Sequence, residues 1–79
     1  MAEKIDVRET PPPERHPKIH DAFDELEPGE VLTVVNDHDP KPLFYEMREE
    51  VEEFDPEGYG VEKKGPDEFV ADFPKEETA

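Results

Sequence analysis

The segment EVLTVVNDHDPKPL, residues 30–43, predicts a strand, a polar turn and the start of a helix. Its first six residues are β-branched and almost continuously apolar, which is typical of a central strand covered by helices. Asp39 is a good helix N-cap and Pro40 suits the first helical position, so a helix is expected to begin there. The polar residues 36–38 form the turn between the two elements. The flanking segments are interpreted relative to this strand–turn–helix unit.

The N-terminal part of the chain predicts a short strand, a proline-rich linker and a helix. KIDVR, residues 4–8, alternates polar and apolar side chains as a half-buried strand does. ETPPPERHP, residues 9–17, contains four prolines, so the helix is expected to start near Pro17, or earlier with a kink. The turn at Pro28-Gly29 is expected to end this helix. Its apolar stripe consists of Ile19, Phe23 and Leu26.

The C-terminal half predicts a second amphipathic helix followed by two strands. DPEG, residues 55–58, breaks the helix, and strands are expected at 58–64 and 67–73. The polar end of the chain, 74–79, is expected to be a frayed tail. The apolar stripe of this second helix consists of Leu43, Met47, Val51 and Phe54.

The element order β-α-β-α-β-β predicts the architecture. Right-handed crossovers place both helices on one face of a four-stranded mixed sheet, which gives a two-layer α/β sandwich of the α+β class. With 79 residues, the chain is expected to form one domain over residues 1–73 around a small core.

Acidic residues dominate the charge of the chain, with 24 Asp and Glu against 9 Lys and Arg and a formal net charge of -15. Two explanations fit this surplus. One is a salt-adapted cytoplasm, as in halophilic archaea, where salt screens the repulsion. The other is docking on a basic partner. Nucleic-acid binding is disfavoured because phosphate neutralisation needs a basic face, and none is visible.

The sequence contains no cysteine, which excludes disulfides, thiolate metal sites and cysteine nucleophiles. No apolar run reaches the length of a membrane span, and no signal peptide is recognisable. We therefore expect a soluble, cytoplasmic protein.

Three strings carry a resemblance to a known family. They are IDVRETPPPERHPKI (5–19), LEPGE (26–30) and VNDHDPKPL (35–43). Together they resemble the family catalogued as domain of unknown function 2249, over roughly residues 4–73. The resemblance implies membership of the TusA/SirA-like sulfur-carrier superfamily and a sheet order of 1-2-4-3.

The chain departs from the sulfur carriers at the residue that performs their chemistry. Their signature runs from Asp-x-Arg to a Cys-Pro-x-Pro at the start of the first helix, and that cysteine carries the persulfide. Counted from Asp6 and Arg8, its place is taken here by Pro12, followed by Pro13. Proline cannot carry sulfur, so the chain is not expected to be a persulfide carrier.

The candidate site lies at the carboxyl ends of the first two strands, where open α/β sheets tend to bind ligands. Several interpretations stay open. In one interpretation, the polar residues only shape the turn and cap the helix. In another, His16, His38 and Asp37 bind a divalent transition metal such as zinc, copper or iron. Alternatively Arg8 and Arg15 bind an anion or small metabolite, or His38 and Asp37 act as an acid–base pair. The site residues under these hypotheses are Arg8, Arg15, His16, Asn36, Asp37, His38 and Asp39.

The function expected from these observations is a small binding or accessory domain with a polar pocket at the strand ends. It is expected to bind a protein partner or a small ligand, and the resemblance suggests redox or metal-centre proteins such as hemerythrin-like domains. The alternative is a metal-dependent component or enzyme of sulfur or nitrogen-oxide redox metabolism.

Salt should stabilise this protein, because one segment, residues 46–57, sets seven acids against the single base Arg48. Screening shortens the Debye length to about 3 Å at 1 M salt and so weakens like-charge repulsion. We expect the melting temperature to rise steeply between dilute buffer and molar KCl. A melting temperature that does not change with KCl would contradict salt adaptation. The seven acids are Glu46, Glu49, Glu50, Glu52, Glu53, Asp55 and Glu57.

Overall fold

The computed structural model describes residues 3–77 and confirms the predicted fold. The four-stranded sheet has the order β1-β2-β4-β3, in which β1 and β2 are parallel and the other two pairs are antiparallel. Both helices lie on one face of this sheet. The elements are β1 (Glu3–Asp6), α1 (Pro12–Asp24), β2 (Val31–Asn36), α2 (Lys41–Glu50), a 3-10 turn (Pro56–Gly58), β3 (Gly60–Gly65) and β4 (Glu68–Pro74).

The core lies between the sheet and the helices. On the central strand β2, Leu32 and Val34 are fully buried and pair across the sheet with Phe73 and Ala71 of β4. Alternate residues of a strand share one face, so these four side chains form the surface of the sheet against which the helices pack. The other members of the core are Val7, Ile19, Phe23, Leu26, Leu43, Met47 and Phe54.

Helix α1 begins at Pro12, which is the earlier of the two starts that the sequence left open, and not near Pro17. Pro11 is the N-cap, and Pro12 and Pro13 occupy the first turn, where backbone amides have no intrahelical partner and a proline loses no hydrogen bond. Only Pro17 lies inside the helix, at the cost of one bond to the Pro13 carbonyl. The early start brings Arg15 onto the helix.

Helix α2 ends earlier than predicted, at Glu50. Val51 is extended, with φ -115° and ψ 104°, so its backbone leaves the helix before Phe54. Phe54 is nevertheless buried, because it forms an isolated bridge with Lys75 and its ring packs edge-on against Phe23 at a centroid distance of 6.2 Å. Because the helix ends at Glu50, the carboxylates of Glu49 and Glu53 do not repel each other across one helical turn.

The remaining boundaries differ from the predictions by a few residues. Helix α1 ends at Asp24 and is followed by the turn at Pro28-Gly29, where Gly29 adopts a φ of 87°. Strand β1 begins at Glu3 and ends at Asp6, although Val7 still donates its amide to the Val35 carbonyl at 2.9 Å. Within residues 3–77, no helix is both long and apolar enough to cross a membrane.

The segment predicted as a tail from residue 74 starts with ordered residues. Pro74 ends β4, and Lys75 is only 7% exposed. The Lys75 ammonium donates to the carbonyls of the last two residues of α1, Phe23 (3.4 Å) and Asp24 (3.3 Å), and to that of Leu26 (2.8 Å) just beyond the helix. These carbonyls have no partner within the helix, and a cation favours the negative end of the helix dipole. Lys75 therefore joins the end of the chain to α1.

Replacing Lys75 with Met should lower the free energy of unfolding by about 1.5–3 kcal/mol, because buried carbonyls lose a charged donor. Lys64→Met is the matched control, since Lys64 is exposed and pairs only with the exposed Glu62. The control should change stability by at most about 1 kcal/mol. Urea unfolding of both variants in molar KCl measures the difference. Equal stability of the two variants would show that Lys75 does not cap α1.

Candidate functional site

Two loops lie side by side where the parallel strands β1 and β2 end. The register pairs Asp6 with Val35, so residues 7–11 leave one strand beside the point where residues 37–40 leave the other. Each loop leads into a helix: the first into α1 and the second into α2. The predicted juxtaposition of these loops is therefore confirmed.

Arg15 is the residue that joins the two loops. Its side chain is buried, and its Nε donates to the Thr10 carbonyl at 2.7 Å while Nη2 donates to the Arg8 carbonyl at 3.0 Å. On the other side, Nη1 donates to Asn36 Oδ1 at 3.1 Å and to Asp37 Oδ1 at 2.9 Å, and Nη2 donates to Asp37 Oδ2 at 3.2 Å. Acceptors of the protein itself therefore occupy the donors of this guanidinium, and Arg15 links the two loops of the site.

Asp37 couples this buried guanidinium to an exposed imidazole. Its Oδ1 lies 2.7 Å from His38 Nδ1. Hydrogen bonds from Arg15, and then from His38, lower the pKa of the Asp37 carboxyl to about 2, so it is ionised at neutral pH. An ionised carboxylate only accepts hydrogen bonds, so Nδ1 carries the hydrogen. Within residues 3–77 the other ring nitrogen, Nε2, makes no hydrogen bond. The His38 side chain is 62% exposed.

A shallow acidic groove of about 530 Å³ lies beside this network. Arg8 is the one basic residue of its lining, and it donates to Asp6 through Nε at 3.1 Å and Nη2 at 2.7 Å. This pairing lowers the pKa of the Asp6 carboxyl to about 2. Because Arg8 and Arg15 are both paired with carboxylates, the groove favours a cationic ligand over the anion considered from sequence. Its lining consists of Asp6, Arg8, Glu9, Asp37 and Asp67.

His16 has a different partner from the one expected. Its Nδ1 lies 2.9 Å from Glu46 Oε2, and His20 Nε2 lies 3.7 Å from the same oxygen. Within residues 3–77, no hydrogen bond or ion pair joins His16 to His38, and no three His, Asp or Glu side chains are grouped to hold one metal ion. The hypothetical set of His16, His38 and Asp37 is therefore not assembled by this chain alone.

Asp39 does not cap α2, so that prediction is wrong. The N-cap is the buried Pro40, and no side chain caps this helix. The second proline contributes to this: of the two amides that a cap at Asp39 could use, those of residues 41 and 42, Pro42 has none. The Asp39 carboxylate instead has an electrostatic effect on Tyr59. Burial, and to a smaller extent the negative charge of Asp39, raise the pKa of the Tyr59 hydroxyl to about 12.

Sequence reasoning missed Glu46 as a partner of the histidines and missed how Arg15 is used. The i,i+4 spacing of His16 and His20 was visible, but nothing in the sequence places α2 against that face of α1. Arg15 was proposed, together with Arg8, as a ligand of an anion or small metabolite, whereas in the structure it is buried on the first turns of α1.

Comparison with known proteins gives one match. The family described as Uncharacterized conserved protein (DUF2249) matches residues 4–75. No curated protein and no solved structure matches the chain.

Acid should weaken the link between Arg15 and Asp37. The Asp37 pKa is about 2 in the folded protein and about 3.9 in an unfolded chain, so its contribution is complete above about pH 5 and is lost as the pH falls through 2. Asp37→Asn should therefore melt below wild type at pH 7, and the gap should close toward pH 2. Thermal melts in molar KCl measure this gap. Asp67→Asn, exposed in the same groove, is the control; a gap that stays constant for Asp37→Asn would contradict the link.

Proposed function

We propose, for a chain that belongs to the DUF2249 family of uncharacterized conserved proteins, that it is a small non-catalytic binding domain whose recognition group is the His38 imidazole at the strand ends. The observation that carries this proposal is the network behind that imidazole. A buried arginine holds Asp37, and Asp37 holds His38 Nδ1 at 2.7 Å. The outer nitrogen of His38 is left for a ligand.

Stability alone does not account for His38. Arg15 and Asp37 fix the loops without it, and the exposed His38 side chain adds little buried surface. Burying a guanidinium costs several kcal/mol unless it is fully paired, and here its pairing also orients an exposed group. A site built in this way is preorganised, which lowers the entropic cost of binding.

We propose that the domain has the TusA-like scaffold but not the sulfur chemistry of the carriers. In the structure Pro12 is the first residue of α1, at the place where the resemblance puts the persulfide cysteine. With no cysteine in the chain, the scaffold is left to bind rather than to carry sulfur. We place the domain in a salt-adapted cytoplasm of the kind found in halophilic archaea, which accounts for the net charge of -15.

The partner that suits this site is a protein with a metal or redox centre. A neutral imidazole nitrogen is a common transition-metal ligand, and a carboxylate on the other ring nitrogen is the usual support of such a ligand. Because residues 3–77 supply no three-ligand group, the metal would be one that the partner already holds.

The second candidate function is a metal-dependent component or enzyme of sulfur or nitrogen-oxide redox metabolism. The same carboxylate–imidazole pair favours it, since metal-ligating histidines are usually supported in this way. Metal analysis of natively purified protein separates the two functions. A stoichiometric transition metal supports the second candidate and contradicts the first, and metal-free protein does the reverse.

The role of His38 is tested by adding ZnCl₂ to ¹⁵N-labelled protein, with zinc as the stand-in for a metal held by a partner. We expect the signals of residues 36–39 to shift first. His38→Gln should abolish this response and change the free energy of unfolding by about 0.5 kcal/mol or less, as an exposed side chain does. His16→Gln, the matched control, should retain the response. Loss of the response in His16→Gln, or its persistence in His38→Gln, would contradict the proposal.

A further inference from the structure

Strand β1 leaves one of its edges unpaired. It lies at the end of the sheet, and within residues 3–77 only β2 pairs with it. The Val7 amide bonds to the Val35 carbonyl, and backbone groups alternate along a parallel strand. The amide and carbonyl groups of Lys4 and Asp6 therefore point outward, where another strand can bond to them.

The other edge of the sheet, β3, is protected against such pairing. Its register with β4 shifts between Lys63 and Gly65, and this irregularity interrupts the regular row of backbone groups. Lys63 and Lys64 are also both exposed along it. Bulges and lysines are the devices that natural proteins use to block strand addition. β1 also carries one exposed lysine, Lys4, but its pairing with β2 has no bulge, so the two edges are not equivalent.

A groove of about 650 Å³ runs between the β1 edge and helix α1. Its apolar surface comes from Ile5 and Ala22, which are partly buried and pack against the core. A strand added beside β1 would lay alternate side chains against this surface and extend the core by one strand. Pro17 and Thr10 complete the uncharged part of the lining.

The acidic lining of this groove determines the charge of the strand that can bind there. Lys18 is its only base and donates to the Thr10 hydroxyl at 3.4 Å. A second copy of this chain would bring the same acids and a net charge of -15, so it is a poor occupant. A segment rich in Lys or Arg is complementary. The four acids of the lining are Glu3, Glu14, Asp21 and Glu25.

We infer that the β1 edge and its groove bind an extended basic segment of a partner protein, which adds to the sheet as a fifth strand. Backbone hydrogen bonds to β1 supply affinity, and the acids beside the groove supply selectivity for positive charge. This interface shares Thr10 with the His38 network, because the Thr10 carbonyl binds Arg15 while its side chain lines the groove. The inference does not depend on the function proposed above.

The test uses an acetylated and amidated hexapeptide of alternating Lys and Val as the probe. Titration of ¹⁵N-labelled protein should shift the amide signals of residues 3–6 and of the groove side of α1. Hydrogen exchange of the Lys4 and Asp6 amides should slow by about tenfold at saturation, because these amides become hydrogen-bonded. Two peptide controls should not bind: one with Glu in place of Lys, and one with a central proline, which removes a backbone donor.

Protein variants separate a specific groove from general attraction to an acidic surface. Asp21→Lys with Glu25→Lys reverses two exposed charges at the groove and should weaken peptide binding about tenfold or more. Glu49→Lys with Glu52→Lys makes the same change of net charge elsewhere and should weaken it much less. His38→Gln should bind the peptide as wild type does, which keeps this test independent of the strand-end site.

The inference would be overturned by no binding of the Lys-Val peptide, by equal binding of the proline peptide, or by equal losses in the two double variants. Titrations at about 0.1 M and 1 M KCl complete the test, since screening weakens the ion pairs but not the backbone hydrogen bonds. Weaker but retained strand signals at high salt support the inference. Complete loss at high salt assigns the binding to nonspecific charge attraction and overturns it.

Discussion

The buried guanidinium of Arg15 is the interaction on which the strand-end region of this protein depends. It binds carbonyls of the loop after β1 and the side chains of Asn36 and Asp37 after β2, so one cation fixes both loops and the first turns of α1. Such a charge is stable inside a protein only when its donors are satisfied. The satisfied donors explain how Asp37 is held in place to orient His38.

Lys75 performs a similar task at the opposite end of α1. Both cations bind backbone carbonyls, which neutral donors would satisfy less strongly. In a chain with only nine Lys and Arg, these two are buried, while most of the acidic surplus stays on the surface. Glu53 is paired nonetheless, because its carboxylate lies 3.3 Å from the Lys75 ammonium. The repulsion that salt must screen is therefore smaller than the seven acids of residues 46–57 imply.

The two proposed binding surfaces have different physical characters. At the strand ends, a rigid polar network presents one imidazole, and recognition there depends on direction and on a single nitrogen. Along β1, unpaired backbone groups lie beside a small apolar floor with acidic margins, and recognition depends on the shape and charge of an extended chain. Together, the two proposed surfaces would allow the chain to join a partner segment to a metal-bearing partner surface.

The sequence by itself determined the order of the elements and the core, and its resemblance to a known family implied the sheet order. Leu32 and Val34 in an apolar run, and Ile19 and Phe23 at helical spacing, admit few other arrangements of the elements, because apolar periodicity is local and burial acts on every residue of a stripe. The sequence also predicted that the two loops lie side by side, but only the tertiary structure decided how their side chains pair. The burial of Arg15 and the choice of Glu46 over His38 beside His16 depend on how far each helix extends and which faces touch. These contacts join residues more than twenty positions apart, as Arg15 and Asp37 are, so no local pattern in the chain encodes them.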